Sequence, residues 1–426
     1  MLLLWSSSEV GAAALPGSEK AVLTVPELIA VARRDNKDLQ AARYAIDIAR
    51  ARLAQAGLRP NPRLDLAAQR DFLFNNEGEY ASSVGISQEF PIAGRLSRQK
   101  DVARVDIALA EAEVANVERR LAGEVASKAY RLVVSAQQVA ALETLIAADK
   151  NLAKTTRARF RAAEVSEMDV NTVQLDIQRL LLERSVLHSE QQSLTIALNA
   201  LLGRQAISPL TLVAPTAPME QWPELTQLQR DALRNRPDFT AALLAIDRAA
   251  AEKALAQSTR WQDWTIGLEL AQDKQVITGV SSQGTDRAIG ISLSIPLPLF
   301  NKGQGLIAEA DANQDQADAR VEALRSNVLA EVAGAYAEAS RLQESLALLK
   351  QSLLPIGERN VRLARQGYSM GLIPVFEVMQ AQRQLAEANK TYLEAFDQYL
   401  QALVRLHTAT GDDLDGGPVL HLPFKD

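Results

Sequence analysis

The chain has 426 residues, a formal net charge of -6, no cysteine and only 5% aromatic residues. With no cysteine in the sequence, neither disulfides, thiolate metal sites nor an N-terminal lipid thioether are expected. Basic residues are interspersed with acidic ones along the helical stretches, which excludes a nucleic-acid footprint, and few aromatics with abundant alanine favour elongated helical packing over several globular cores.

The first residues, 1–22, are signal-like but lack a basic start and a full apolar run, so the expectation is a start that lies upstream. Leu23-Thr-Val-Pro-Glu-Leu opens a helix, with Thr24 as N-cap, Pro26 in the first turn and Glu27 at the capping-box position. Helical periodicity then continues without a predicted break to about Gln55, where Gly57-Leu-Arg-Pro-Asn-Pro ends it. From Pro62 the period becomes two: Leu64, Leu66, Ala68, Phe72 and Phe74 alternate, Asn75-Asn-Glu-Gly-Glu turns, and Val84, Ile86 and Phe90 alternate again. About ten residues per strand is enough to cross a bilayer when tilted.

Residues 98–203 read as a very long helix, a reversal and a return helix. Leu121, Val125, Leu132, Val139, Leu142 and Ile146 outbound, and Val173, Ile177, Leu180, Leu187, Leu194, Leu198 and Leu201 on the return, fall near heptad spacing. The outbound helix is about 95 Å long at 1.5 Å per residue, so the helix before the hairpin and the return helix can stack end to end beside it. The reversal is Arg161-Ala-Ala-Glu-Val-Ser-Glu, with Ser166 recapping the return helix. A proline-rich linker (Pro209, Pro215, Pro218, Pro223) follows.

The pattern then restarts. Asp38, Ala42, Ala45, Ile46 and Asp47 recur as Asp238, Ala242, Ala245, Ile246 and Asp247. A second hairpin alternates Ile266, Leu268 and Leu270, then Ile289, Ile291, Leu293 and Ile295, the last four expected to face lipid. A second ladder, Val328, Val332, Ala335, Ala339, Leu342, Leu346, Leu349 and Leu353, leads to a reversal at Ser369-Met-Gly-Leu-Ile-Pro and a return helix ending at Gly411. The expected division is therefore an N-terminal segment (1–22), a first repeat (23–208), a linker (209–222), a second repeat (223–411) and a tail (412–426). No segment reads as a transmembrane helix, which leaves membrane strands open. Two hairpins per chain leave open strand edges, so several copies must pool strands.

Arg159-Phe-Arg-Ala-Ala-Glu-Val-Ser-Glu-Met-Asp-Val and Gly367-Tyr-Ser-Met-Gly-Leu-Ile-Pro-Val-Phe-Glu-Val resemble the two helical tips of the TolC family of outer-membrane efflux channels. Gln88-Glu-Phe-Pro-Ile-Ala-Gly-Arg is similar to the branch that exports cobalt, zinc, cadmium, nickel or copper and silver cations. The resemblance runs from about Leu23 to Gly411. It implies a mainly α fold with β-hairpins: a homotrimeric α-barrel in the periplasm under a shared 12-stranded transmembrane β-barrel in outer-membrane lipid. It further implies two protein partners, a periplasmic adaptor and a proton-driven inner-membrane pump, and neither enzymatic activity nor a cofactor. One departure is Ala163, where the family's first tip usually has glycine. The rival reading is a periplasmic coiled-coil adaptor or scaffold, which long helical hairpins also fit.

Two groups of candidate residues follow. Ala163, Glu164, Val165 and Ser166 at the first tip, with Gly371, Leu372, Ile373 and Pro374 at the second, are either plain helix turns or the adaptor-docking surface. Asp169 and Glu377 hold equivalent places just past the tips. Each is either a solvated first-turn acid favoured by the helix dipole or, repeated by threefold symmetry, part of an acidic aperture. His188, His407 and His421 lack ligand spacing, so no metal site is expected, and no catalytic constellation stands out.

Overall fold

The structure is a computed structural model that describes residues 22–70, 78–213, 223–276 and 284–412. Residues 1–21 of the signal-like segment, Phe72 and Phe74, residues 75–77 of the first hairpin turn, Pro215, Pro218 and His421 lie outside the described residues. The first half contains β1 (Val22–Leu23), α1 (Val25–Asp35), α2 (Lys37–Ala56), β2 (Arg63–Arg70), β3 (Tyr80–Phe90), α3 (Arg95–Arg161), α4 (Glu167–Leu201) and β4 (Thr211–Leu212). The second contains α5 (Leu225–Asn235), α6 (Pro237–Ser258), β5 (Trp264–Lys274), β6 (Asp286–Ser294), α7 (Gln304–Leu348), α8 (Leu354–Ser369) and α9 (Val375–Thr410). The parallel pair β1–β4, which ties the start of the chain to the linker, carries no sequence signal of its own.

The spine is α3, 67 residues long. Every outbound ladder residue from Leu121 to Ile146 is buried, as are Val173, Ile177, Leu180 and Leu198 of the return. By length and composition alone α3 also holds a stretch apolar enough to cross a membrane, contrary to the sequence expectation. Its ladder residues are instead spent on contacts with other helices. Beside α3, α2 and α6 flank its first part and α4 and α9 its second, so short helices stack along a long one.

The first helix does not run unbroken to Gln55. It breaks at Asn36, whose Oδ1 accepts from the Leu39 amide at 2.8 Å and caps α2. The Asn36 side chain also donates to the Leu201 carbonyl at 2.9 Å, at the end of α4. The second half repeats the break at Arg236, which donates to the Ala409 carbonyl at 3.1 Å, at the end of α9. In each half the return helix then stops on a left-handed glycine, Gly203 (φ 65°) or Gly411 (φ 75°). The kinked backbone passes so close that a Cβ on Gly203 would lie 2.4 Å from the Asp35 carbonyl oxygen. Only glycine satisfies both demands.

The second outbound helix is also interrupted. Residues Leu349–Leu353 form a π-helical turn just before Pro355. Proline has no amide hydrogen and its ring would strike the carbonyl four residues back, so the widened turn removes the clash. The turn absorbs one residue, and the buried face shifts with it. Above it Val328, Val332, Ala335, Ala339 and Leu346 are buried; below it Val361 and Tyr368 are buried, while Leu353, expected in the ladder, is exposed.

The four long strands form one antiparallel sheet in the order β2-β3-β5-β6. Its register aligns Leu64, Ile86, Leu268 and Ile291 in one row, and Leu66, Val84, Leu270 and Ile289 in another. The opposite face carries Asp65, Gly85, Glu269 and Gly290, then Arg63, Ser87, Gly267 and Ser292. Side chains alternate along a strand, so one face is apolar and the other polar. Ile289, Ile291 and Leu293 share the apolar parity and are exposed. Ile295 does not belong to the strand: β6 ends at Ser294, because Pro296 cannot continue the ladder. Within the chain β2 and β6 each keep one open edge.

Candidate functional site at the helical tips

The two reversals close with the same backbone motif. At the first, the Ala163 amide donates to the Phe160 carbonyl and the Glu164 amide to the Arg159 carbonyl, each at 2.9 Å. At the second, Gly371 donates to Tyr368 at 3.0 Å and Leu372 to Gly367 at 2.9 Å. This pairing needs a left-handed residue, and Gly371 (φ 73°) supplies it without strain, whereas Ala163 (φ 58°) adopts the same conformation with a Cβ. Of the tip residues, Ala163, Glu164, Ser166, Gly371, Leu372 and Pro374 are exposed, while Val165 and Ile373 are half-buried. Ile373 packs on Gly367.

The tips are fastened side by side by residues that the sequence reading does not single out. Arg159 donates to the Ser369 carbonyl at 3.1 Å and stacks 4.4 Å from the centre of the Tyr368 ring. The Tyr368 hydroxyl meets Thr156 Oγ1 at 3.1 Å in a buried contact.

Asp169 and Glu377, equivalent in sequence, differ in structure. Asp169 is engaged in a capping box: its Oδ2 accepts from the Ser166 amide at 3.0 Å and from the Ser166 hydroxyl at 2.8 Å. Glu377 also sits in the first turn of its helix, but its N-cap is Pro374, which has no side-chain hydroxyl to offer. Its carboxylate is exposed, and among the described residues none is hydrogen-bonded to it or paired with it.

Above the tips a polar cluster joins all four lower helices. Asp176 of α4 pairs with Arg383 of α9 through contacts of 3.0 and 3.2 Å, and with Arg179 at 3.4 Å. Asp149 of α3 is 2% exposed. In the orientation that satisfies both neighbours, Gln382 donates to Asp149 Oδ1 at 3.2 Å and accepts from Arg365 of α8 at 3.2 Å. Burial, and then the charge of Asp176, push the Asp149 carboxyl up to about 6, against the pull of Arg383, Arg365 and Arg179. A carboxyl whose pKa is raised by folding favours the protonated folded state. Stability therefore falls as pH rises from about 4 through about 6, by roughly 2–3 kcal/mol. Asp149→Asn should remove that slope. In urea titrations of the detergent-solubilised protein, the variant should gain on the parent between pH 5 and pH 7.5; an equal difference at both values would refute it.

Among the described residues no cluster of three or more His, Asp or Glu is placed to hold a metal. His188 meets Gln191 at 3.3 Å, and His407 lies 4.0 Å from Asp412. Between α4 and α9, over α3, runs an open groove of about 980 Å³ whose walls carry both signs of charge, among them Arg131, Arg179, Glu183 and Lys390.

The family model described as "Outer membrane efflux protein" matches residues 28–204 and 228–412. The chain is 24% identical over 393 residues to the cobalt-zinc-cadmium resistance protein CzcC of Cupriavidus metallidurans, covering 91% of this chain and 90% of that one. It is 24% identical over 411 residues to the pyoverdine export outer membrane protein OpmQ of Pseudomonas putida, covering 90% and 85%. Among solved structures, CusC superposes with a TM-score of 0.75 at 18% identity, covering 92% of this chain and 93% of that one.

Proposed function

Because this chain belongs to the outer membrane efflux protein family, we propose that it is the exit duct of a tripartite pump for heavy-metal cations, gated at its helical tips. It is an efflux channel of the outer membrane, with the sheet in the bilayer and the helices in the periplasm. The family is one of channels, and the adaptor reading fails on that match. The strand edges at β2 and β6 fit closure of a 12-stranded barrel by three copies, and the exposed tips fit docking of an adaptor that joins the duct to an inner-membrane pump.

The observation that carries the gate is the difference between the two acids. Asp169 is occupied in a cap, which supports the plainer reading for that residue. Glu377 is exposed and, among the described residues, without a partner, so three copies around a narrowing tunnel would attract cations and repel one another. Glu377→Gln keeps the size and removes the charge. It should lower cation selectivity and relieve divalent block in planar bilayers, and the difference should shrink as salt rises past about 0.1 M, where exposed charges are screened within about 10 Å. Unchanged selectivity would move the aperture elsewhere.

The cation cargo rests on the similarity to CzcC over nine-tenths of both chains. The similarity to OpmQ favours a second cargo, pyoverdine. Cells lacking the chain should become sensitive to zinc, cobalt or cadmium; pyoverdine trapped inside, with metal tolerance intact, would favour the second reading.

A further inference from the structure

Charge on the long sheet is sorted by sign between its two faces. All the acids of the long strands, Asp65, Glu89, Glu269, Asp273 and Asp286, have the parity of the polar rows, and of the cations only Arg63 joins them. Arg70, Lys274 and Arg287 have the parity of the apolar rows instead. A cation on a lipid-facing wall is costly at mid-bilayer and nearly free at the headgroups, so the height of these three decides what they meet.

The helices approach the sheet from one end, because α2 precedes β2 and α3 follows β3. Phe90 and Trp264, paired in register and exposed, mark that end of the apolar face. Arg70, Tyr80 and Lys274 form the row at the opposite end, and Arg287 stands one row closer to the middle, beside Gln272. From Phe90 to Tyr80 the strand runs about 34 Å at about 3.4 Å per residue, or about 26 Å in height at a tilt near 40°. The apolar band of an outer-membrane barrel is about 25 Å tall. With Phe90 and Trp264 at the periplasmic boundary, the three cations therefore stand at the headgroups of the outer leaflet. Arg70 and Arg287 are exposed and Lys274 is half-buried, and among the described residues none of the three is paired with a carboxylate. The Tyr80 hydroxyl accepts from Gln272 at 2.9 Å and lies 3.3 Å from Thr285 Oγ1, within reach of the charges of Lys274 and Arg287.

We infer that Arg70, Lys274 and Arg287 bind the phosphates of the glycolipid of the outer leaflet, lipopolysaccharide, with the Tyr80 hydroxyl beside them. The inference rests on the channel reading and adds to it a lipid site on the outer wall of the barrel. Phosphates in that leaflet repel one another and are bridged by divalent cations. A barrel wall interrupts the bridging, and fixed cations at the same height replace it. The arginine fork meets two phosphate oxygens at once, while lysine acts as a point charge. An acid among them would cancel the attraction, and the acids are all on the other face. When copies join at the open edges, Arg287 of one copy comes near Arg70 of its neighbour, so the cations continue around the barrel.

The test uses the trimer purified in mild detergent and freed of bound lipid. It is titrated in EDTA with diphosphorylated lipid A, with dephosphorylated lipid A or with phosphatidylglycerol, and native mass spectrometry reads the bound lipid. Diphosphorylated lipid A should bind in preference to the other two. Arg70→Gln with Lys274→Gln and Arg287→Gln should weaken its binding at least about tenfold, through the loss of charged hydrogen bonds. Arg287→Gln alone should weaken it about threefold, and it decides the matter if the triple variant does not assemble. Asp273→Asn with Asp286→Asn, at the same height on the polar face, should leave binding unchanged. If a trimeric glutamine variant binds lipid A as the parent does, or if dephosphorylated lipid A or phosphatidylglycerol binds equally well, the site is wrong and the channel reading stands. A chain that forms no trimer in detergent or in membranes would overturn both.

Discussion

Ile291→Arg should lower the stability of the membrane-embedded channel by about 2–4 kcal/mol, while Ser292→Arg should assemble and change conductance, because arginine on the lipid face of a barrel loses hydration that the lumen face preserves. The two residues are adjacent in β6 but lie in rows of opposite character. Ile291 continues Leu64, Ile86 and Leu268 across all four strands, and Ser292 continues Arg63, Ser87 and Gly267. Ile291 is 81% exposed and stands in mid-strand. Urea unfolding from lipid vesicles and the trimer fraction in mild detergent measure the first effect, and single-channel recording the second. Equal behaviour of the two variants would mean that the apolar face is not the lipid face.

Arg236→Met should destabilise the helical domain by about 3 kcal/mol, because removing one partner of a buried ionic network leaves the others unpaired. The Arg236 guanidinium contacts Asp238 at 2.7 Å, Glu331 at 2.6 Å and the Ala409 carbonyl at 3.1 Å, with its side chain only 5% exposed. Arg119 remains 3.6 Å from Asp238, so the acid keeps a partial partner. Adding Asp238→Leu should recover part of the loss. Asn36→Ala, at the equivalent kink, should cost about 1 kcal/mol, the usual worth of an N-cap. The midpoint of urea unfolding in detergent reads all three. A neutral Arg236→Met would show that the kink is held by packing alone.

What was legible in the sequence is what local periodicity encodes. Leu121 to Ile146 repeat at helical spacing and are buried; Ile266 to Leu270 alternate and lie on one face. Both reversals are readable because Ser166 is a cap type and Gly371 tolerates a left-handed turn. The break at Asn36 was hidden because no glycine or proline marks it. Its cause is a carbonyl 165 residues away, at the end of α4. The break at Arg236 does precede Pro237, which is tolerated at the start of a helix and so signals a boundary. The elevated Asp149 carboxyl was equally invisible. It depends on Asp176 and Gln382, which only the packing of four helices brings near. A heptad ladder, finally, says that a face is covered but not by what.

That last point gives the π-helical turn at Leu349–Leu353 a meaning beyond relief for Pro355. In sequence the ladder from Val328 to Leu346 runs on without a stutter through Leu353, Ile356, Leu363 and Met370. In space it changes sides, because one extra residue in the turn alters the helical phase by about 100°. Above the turn the ladder is spent on the chain's own core, and below it the same ladder faces outward. A single wide turn thus lets one uninterrupted repeat serve two different neighbours. A uniform α-helix through the same residues would hold the repeat to one side throughout and leave the lower edge of the chain with a face unsuited to joining another.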